Sequence, residues 1–598
     1  MLLHGIAEAW RYGATMTIAR KPSQRHGEAR SAPTMRNEFI NSREKTMKND
    51  MHADTVILSK KLVAMDARGW DGPGYVAIKG NRIVGVGHQD EMQAMVGPAT
   101  VVTDVGDRVV MPGFVDPHIH LEAISMINHT YVDVRVPICK SIKEMIQTLR
   151  AAIPTRLFDG WLLAQGNTFY DQKLEEKRYP TLAELDEISR DIPVLVQAGG
   201  HITLLNSKAM EIAGIDRNYV PPEFSVAGKC VVVRDANGDP TGQFQEMEAV
   251  LPFPRVKGDL LKTAIRETTK KYLTEYGVTS IGEISETTKG LEAMSELQRD
   301  GEMPLRVATY LWVPGTMTLD EACNWQQHIK PQSDSEWFNV EGVKIFTDGG
   351  FSSANAAMSI QYRHREQASM GEMAMSKEEI KHTYLSARAS GLGLACHAVG
   401  DKAQEAICEA VIETGVSPAN ARLRIEHGGI FLPDYARTTG MWKAAGAKPC
   451  PQPTFLFGLG DFFTYFFGKV DGARGRFPFK QMWDDGWTVS GSSDAYGGAD
   501  PRASNPFFGI WCSVKRETLY GEIIDPEQRV SVAQGLKMYT IAAATILGHD
   551  DVKGSLEVGK FADIIVLEKD PREEEMDELL KIKVDHVFVA GKLVHSRA

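Results

Sequence analysis

Short apolar runs rich in β-branched residues recur along the chain, separated by stretches with helical spacing. The runs at 110–120, 278–284, 305–313, 342–349, 393–398, 423–429, 448–455 and 487–494 predict strands, most closing on a polar residue. Between them, stretches such as 377–388 and 403–412 place apolar residues on one helical face. Strand and helix alternate, which predicts parallel βα units, and eight strands predict a (β/α)₈ barrel with its chemistry at the C-terminal strand ends. The run at 448–455 is the weakest of the eight, because its prolines cannot donate to a ladder.

Outside these units, 53–62, 74–87 and 99–110 near the start and 562–567 and 584–594 near the end predict short strands joined by turn residues. Between the first and second barrel strands the connection is far longer than a βα loop needs, so it must carry structure of its own. The first fifty residues show little periodicity. Their arginines resemble a transit peptide, but Glu8, Glu28, Glu38 and Glu44 argue against one, and a disordered tail over 1–50 is the expectation.

The candidate chemistry begins at His118 and His120. Side chains two apart on a strand share a face, and two neutral imidazoles converging from one strand make half a site for a divalent metal such as zinc. Four later strands end near further ligand types, namely Lys344, His397, His427 and Asp494. An ammonium cannot ligate a cation, so Lys344 is useful to a metal only when neutral and carboxylated; otherwise it is an ordinary lysine paired with a carboxylate such as Asp348. Asp494 either caps a turn or carries a proton beside the metal.

Several motifs occur in one order: Pro112-Gly113-Phe114-Val115-Asp116-Pro117-His118-Ile119-His120, His397-Ala398-Val399-Gly400-Asp401, Ser493-Asp494, and a closing Gly554-Ser555-Leu556-Glu557-Val558-Gly559-Lys560-Phe561-Ala562-Asp563. With them the chain resembles the amidohydrolase superfamily, in its family 3 branch of YtcJ-like and N-substituted formamide deformylase-like enzymes, over most of 51–598. The resemblance implies a metal-dependent barrel over 113–545, an insertion subdomain at about 130–258 beside the active-site mouth, and a small β-sandwich domain assembled from 51–112 and 546–598. It also implies N-carboxylation of Lys344 to bridge two ions, with His118 and His120 on the more buried and His397 and His427 on the more exposed one. Asp494 is then the proton carrier, and His201, in the insertion's Gly-His segment, hydrogen-bonds substrate or is satisfied internally. Many relatives are homo-oligomers.

The expected activity is hydrolysis of a non-peptide C–N bond in a small molecule, of N-acyl or N-formyl amide, carbamate or urea type, with two Zn²⁺ or a single ion. A one-metal deaminase of a heterocycle would have no use for Lys344, and metal stoichiometry separates it. A lactonase or esterase could share the site, and a substrate panel separates that. A non-catalytic scaffold is disfavoured by retention of every candidate ligand. Phe169, Tyr170, Trp312, Phe455 and Tyr496 near strand ends suggest a pocket for an apolar substituent.

Composition narrows the setting. A net charge of -11 over 598 residues argues against a nucleic-acid partner. Seven cysteines without a CxxC pair argue against a disulfide framework or structural zinc and for a reducing, cytoplasmic location. No run of eighteen apolar residues suggests a membrane span.

Overall fold

The computed structural model describes residues 52–225, 228–364 and 369–597, so the expected tail at 1–50 lies outside the described residues. Its centre is a curled seven-stranded parallel sheet: β1 (Phe114–Ile119), β2 (Val278–Ile284), β3 (Arg306–Trp312), β4 (Phe338–Phe346), β5 (Gly393–His397), β6 (Leu423–Glu426) and β7 (Ala447–Cys450), paired in chain order. Most of these strand residues are buried, as expected of a parallel sheet covered by helices. The helix after β4, Lys377–Ala389, opens on a capping box in which the Ser376 side chain accepts from Glu379 N, and its buried face carries Ile380, Thr383, Tyr384 and Ala387. The helix after β5 is Asp401–Ile412.

Two differences from the sequence expectation have physical causes. The run at 110–120 is two strands: Val109–Pro112 belongs to a second sheet and β1 to the parallel one. The break falls at Gly113, where a Cβ would stand 2.3 Å from Thr279 Oγ1. The segment 487–494, expected as the eighth strand, makes no strand ladder. Its backbone is held piecemeal, by Gly491 N to Met538 O at 2.8 Å, Ser493 N to Asp116 Oδ1 at 3.0 Å and Asp494 N to His118 O at 2.9 Å. On its β7 side the hydroxyl of Ser492 donates to Pro451 O at 2.8 Å. Pro449 and Pro451 offer no N–H, so side chains replace part of the ladder between β7 and β1.

Both ends of the described chain feed a mixed eight-stranded sheet, in the order Lys592–Ser596, Val584–Val589, Ile564–Leu567, Val109–Pro112, Thr55–Val63, Asp71–Lys79 and Arg82–Gly87, with Val101–Asp104 also on Thr55–Val63. The sandwich expected there is, by hydrogen bonding, one sheet. A buried ion pair joins it to the parallel sheet: Arg306 in β3 reaches Asp563 at 2.7 and 3.1 Å. The long β1–β2 connection builds its own six-stranded sheet, including Leu162–Gly166, Val194–Ala198, Ile202–Leu205 and Pro240–Gln245. No helix among the described residues is long and apolar enough to cross a membrane.

Candidate active site

His118, His120, Lys344, His397, His427 and Asp494 all line one cavity of about 220 Å³ at the C-terminal ends of the parallel strands, and His201 lines it as well. Of the aromatics singled out in the sequence, Phe169, Trp312, Phe455 and Tyr496 line it. Tyr170 does not: it is fully buried in the core of the insertion, with its hydroxyl donating to Val134 O at 2.8 Å.

The rings are oriented from behind. His118 Nδ1 donates to Glu426, His120 Nδ1 to Glu286 at 2.8 Å, and His427 Nδ1 to Gln452 Oε1 at 2.7 Å. Each bond fixes the ring and leaves Nε2 facing its neighbours, the arrangement in which outer partners orient metal-binding imidazoles. The partners are themselves held. Arg424 pairs with Glu426 at 2.9 Å and also donates to Pro117 O, while Gln452 Nε2 donates to Cys450 O and Ser492 Oγ.

The free edges converge. Asp494 Oδ1 lies 3.3 Å from His118 Nε2 and 3.4 Å from His120 Nε2, and His427 Nε2 lies 3.0 Å from His397 Nδ1. Two nitrogen or oxygen ligands at about 2.0–2.1 Å from one tetrahedral ion stand roughly 3.3 Å apart. These spacings are of that size, and His118, His120 and Asp494 together form a candidate group for a metal ion. Lys344 is fully buried, and its Nζ has no hydrogen-bond partner. It makes no pair with Asp348, whose carboxylate instead accepts from the backbone of Ala357, Val399 and Gly400. His397 Nε2 is likewise unpartnered, 3.7 Å from Asp348 Oδ1, and its ring stacks on Phe346.

Electrostatics follow from burial and these contacts. Desolvation lowers Lys344, with Glu426 and Asp494 opposing it, and favours the neutral amine that reaction with CO₂ requires. Burial lowers His427 to about 3 and holds His397 well below its usual range, so both rings are neutral. Burial opposes a charge on His120, but hydrogen bonds to Asp494 and Glu286 outweigh it and raise that ring to about 10. Burial likewise pushes Asp494 up, yet the His118 and His120 contacts prevail and hold it well below the usual carboxylate range. Burial raises Asp348 to about 7 against its three backbone donors.

Backbone strain sits at the same place. His427 (φ 69°) and Asp494 (φ 42°) are in the left-handed region that non-glycine residues rarely occupy. At His427 the turn breaks strand alternation, so that adjacent Glu426 and His427 both face the cluster. Glu426, Glu286, Gln452 and Glu246, which accepts from His201 Nδ1 at 2.8 Å, were not anticipated from the sequence. For Glu426 the signal was present, since Arg424 and Glu426 share one face of β6.

The amidohydrolase family model matches residues 101–595. The chain is 27% identical over 555 residues to N-substituted formamide deformylase of Arthrobacter pascens, covering 91% of this chain and 98% of that one. It is 28% identical over 549 residues to Protein LONG AFTER FAR-RED 3 of Arabidopsis thaliana, covering 87% and 88%. A solved metal-dependent hydrolase from Pyrococcus furiosus superposes with a TM-score of 0.64 at 23% identity, covering 87% of this chain and all of that one, a likeness of fold. The chain belongs to the amidohydrolase family and is a hydrolase of carbon–nitrogen bonds other than peptide bonds.

Proposed function

We propose that this amidohydrolase cleaves the C–N bond of N-acyl or N-formyl amides, or of a related carbamate or urea, using two divalent ions, with zinc the best match to the nitrogen-rich donor set. His118, His120 and Asp494 would hold one ion and His397 and His427 the other, with Lys344 spanning both as a carbamate. The observation that carries this reading is the buried Lys344 Nζ, without a hydrogen-bond partner, in one cavity with His118, His120, His397, His427 and Asp494. A lysine whose pKa burial lowers and whose Nζ has no hydrogen-bond partner is placed to lose a proton and add to CO₂, which would make a carboxylate long enough to bridge. Bound there, the ions supply Lewis acidity and lower the pKa of water.

The chain's own groups do the rest. Asp494, held as a carboxylate between two imidazoles, takes a proton from the attacking water. The same carboxyl returns it to the leaving nitrogen, which departs as the amine with the bonding electron pair. Phe169, Trp312, Phe455 and Tyr496 offer an apolar wall for a substituent, and His201 a polar contact. We read 487–494 as the eighth stave closing a barrel over 113–545, with an insertion domain at about 130–258 and a terminal domain from 51–112 and 546–598.

Metal analysis of the purified protein, with product identification on a panel of N-acyl amines and matching esters, tests this reading. It expects two ions per chain and amide turnover. One ion retained with full activity in Lys344→Ala would replace it with the one-metal deaminase, and exclusive ester turnover with a lactonase or esterase.

A further inference from the structure

Lys173 is a buried cation that the hydrolysis described above leaves without a role. It ends the short insertion helix Tyr170–Lys173, and its side chain reaches the segment after β7, where Nζ lies 5.9 Å from the centroid of the Phe462 ring and a Cβ on Gly458 would stand 3.6 Å from it. The residue is 7% exposed, and among the described residues no hydrogen bond or ion pair engages Nζ. Burial lowers it to about 8, with Asp500, Asp461 and Asp171 opposing, so it remains a cation at neutral pH.

Lys173 lines a small cavity of about 40 Å³ beside the catalytic one. The two share Thr168, Phe455, Leu459 and Tyr496, so one layer of side chains divides them. Thr454 lines the small cavity as well, and its buried Oγ1 has no hydrogen-bond partner. None of the three acids pairs with the ammonium. Asp500 has both oxygens engaged by Arg502, at 2.9 and 3.1 Å. Asp461 and Asp171 do not line the cavity, and burial raises Asp461, which disfavours its charged form. A buried charge is costly unless something pairs with it. Two donors without partners around one enclosed space therefore call for a negatively charged acceptor. At roughly 10–15 Å³ for each water-sized occupant, the space holds about three non-hydrogen atoms, the size of formate and close to that of acetate.

We propose that this cavity is a binding site for a small carboxylate anion, held by the Lys173 ammonium with the Thr454 hydroxyl beside it. The natural occupant rests on the amide-hydrolase reading, because hydrolysis of an N-formyl or short N-acyl amide releases such an anion one side-chain layer away. The site is then a product subsite, separate from the proposed metal ligands.

The test uses the full-length, metal-loaded enzyme and sodium formate. A structure of the wild type in formate should show the ion within hydrogen-bond reach of Lys173 Nζ. Equilibrium dialysis with radiolabelled formate should count one more ion per chain in the wild type than in Lys173→Met, a difference that any formate on the metals leaves untouched. Methionine matches the length of the lost side chain and removes a buried charge, so the variant should fold, keep its metal and turn over amide within about threefold of wild type. Equal counts in the two proteins, or a cavity holding only water that bridges Lys173 to Asp461 or Asp500, would overturn the assignment. Chloride displacing the extra formate at equal concentration would overturn the carboxylate as occupant. A wild type that cleaves no amide would instead overturn the function proposed above, while the formate count still decides this site.

Discussion

Replacing Lys344 with methionine should shift stability in opposite directions with and without metal. In the metal-free protein Lys344 is fully buried and its Nζ has no hydrogen-bond partner, so a charged ammonium there is opposed by desolvation. Methionine is similar in length, unbranched and apolar. Exchanging a buried charge for a well-packed apolar side chain is neutral to stabilising by about 1–4 kcal/mol. Burial depresses the folded-state pKa below the ordinary 10.5, so between the two values the unfolded chain binds more protons than the folded one. Wild-type metal-free stability should therefore rise with pH through that window. The advantage of Lys344→Met should be full below the depressed pKa and shrink as pH approaches 10.5. With metal present the sign should reverse, because losing the proposed bridging carbamate should release ions along with the stability they add. Denaturant unfolding of chelated and metal-loaded protein between about pH 6 and pH 10, with elemental analysis of both, measures all of this. Unchanged metal content in Lys344→Met would refute the bridge, and a pH-independent difference between the chelated proteins would refute the burial argument.

Three further outcomes follow from the same geometry. Asp494→Asn should keep the fold yet lose on the order of 10²-fold or more in kcat, read in steady-state kinetics on metal-replete protein; near-normal turnover would remove Asp494 from proton transfer. Glu426→Gln weakens the acceptor behind His118 and leaves Arg424 without its charge partner, so metal affinity should fall about 10–100-fold in competition with a chelating dye, and unchanged affinity would count against an orienting role. Gly113→Ala forces a methyl against Thr279 at the junction of the two sheets and should cost about 1–3 kcal/mol in denaturant unfolding, a loss that Thr279→Ala in the same chain should partly restore.

His427 shows what alternation along a strand can and cannot disclose. Apolar runs placed β2 at 278–284 and β5 at 393–398, because those strands are buried throughout, and the period of two put His118 and His120 on one face. The same period allows only one of two adjacent residues to face a site, so with His427 chosen, Glu426 dropped from view; the left-handed turn at His427 is what admits both. Glu286, Glu246 and Gln452 lie just beyond strand ends, where no periodicity ties a side chain to a face. The eighth segment carried the right apolar pattern, but Pro449 in β7 and Pro451 just after it offer no N–H to a ladder with it. Tyr170 was singled out for its place near a strand end, yet Phe169 sits at φ 58° before a short helix that carries Tyr170 into the insertion core.

The junction at Gly113 also constrains how the polypeptide can mature on the ribosome. The strand Val109–Pro112, which leads directly into β1 and its histidines, pairs with Ile564–Leu567 through more than four hundred and fifty intervening residues, and Gly113 N donates to Asp563 O. Translation at about 5–20 residues per second leaves that partner unmade for tens of seconds after His118 emerges. During that interval the N-terminal strands expose unpaired edges, which are open to mispairing and to chaperones. Nascent chains stalled before residue 564 should therefore be protease-sensitive around residues 109–120 and become resistant once the C-terminal strands have emerged.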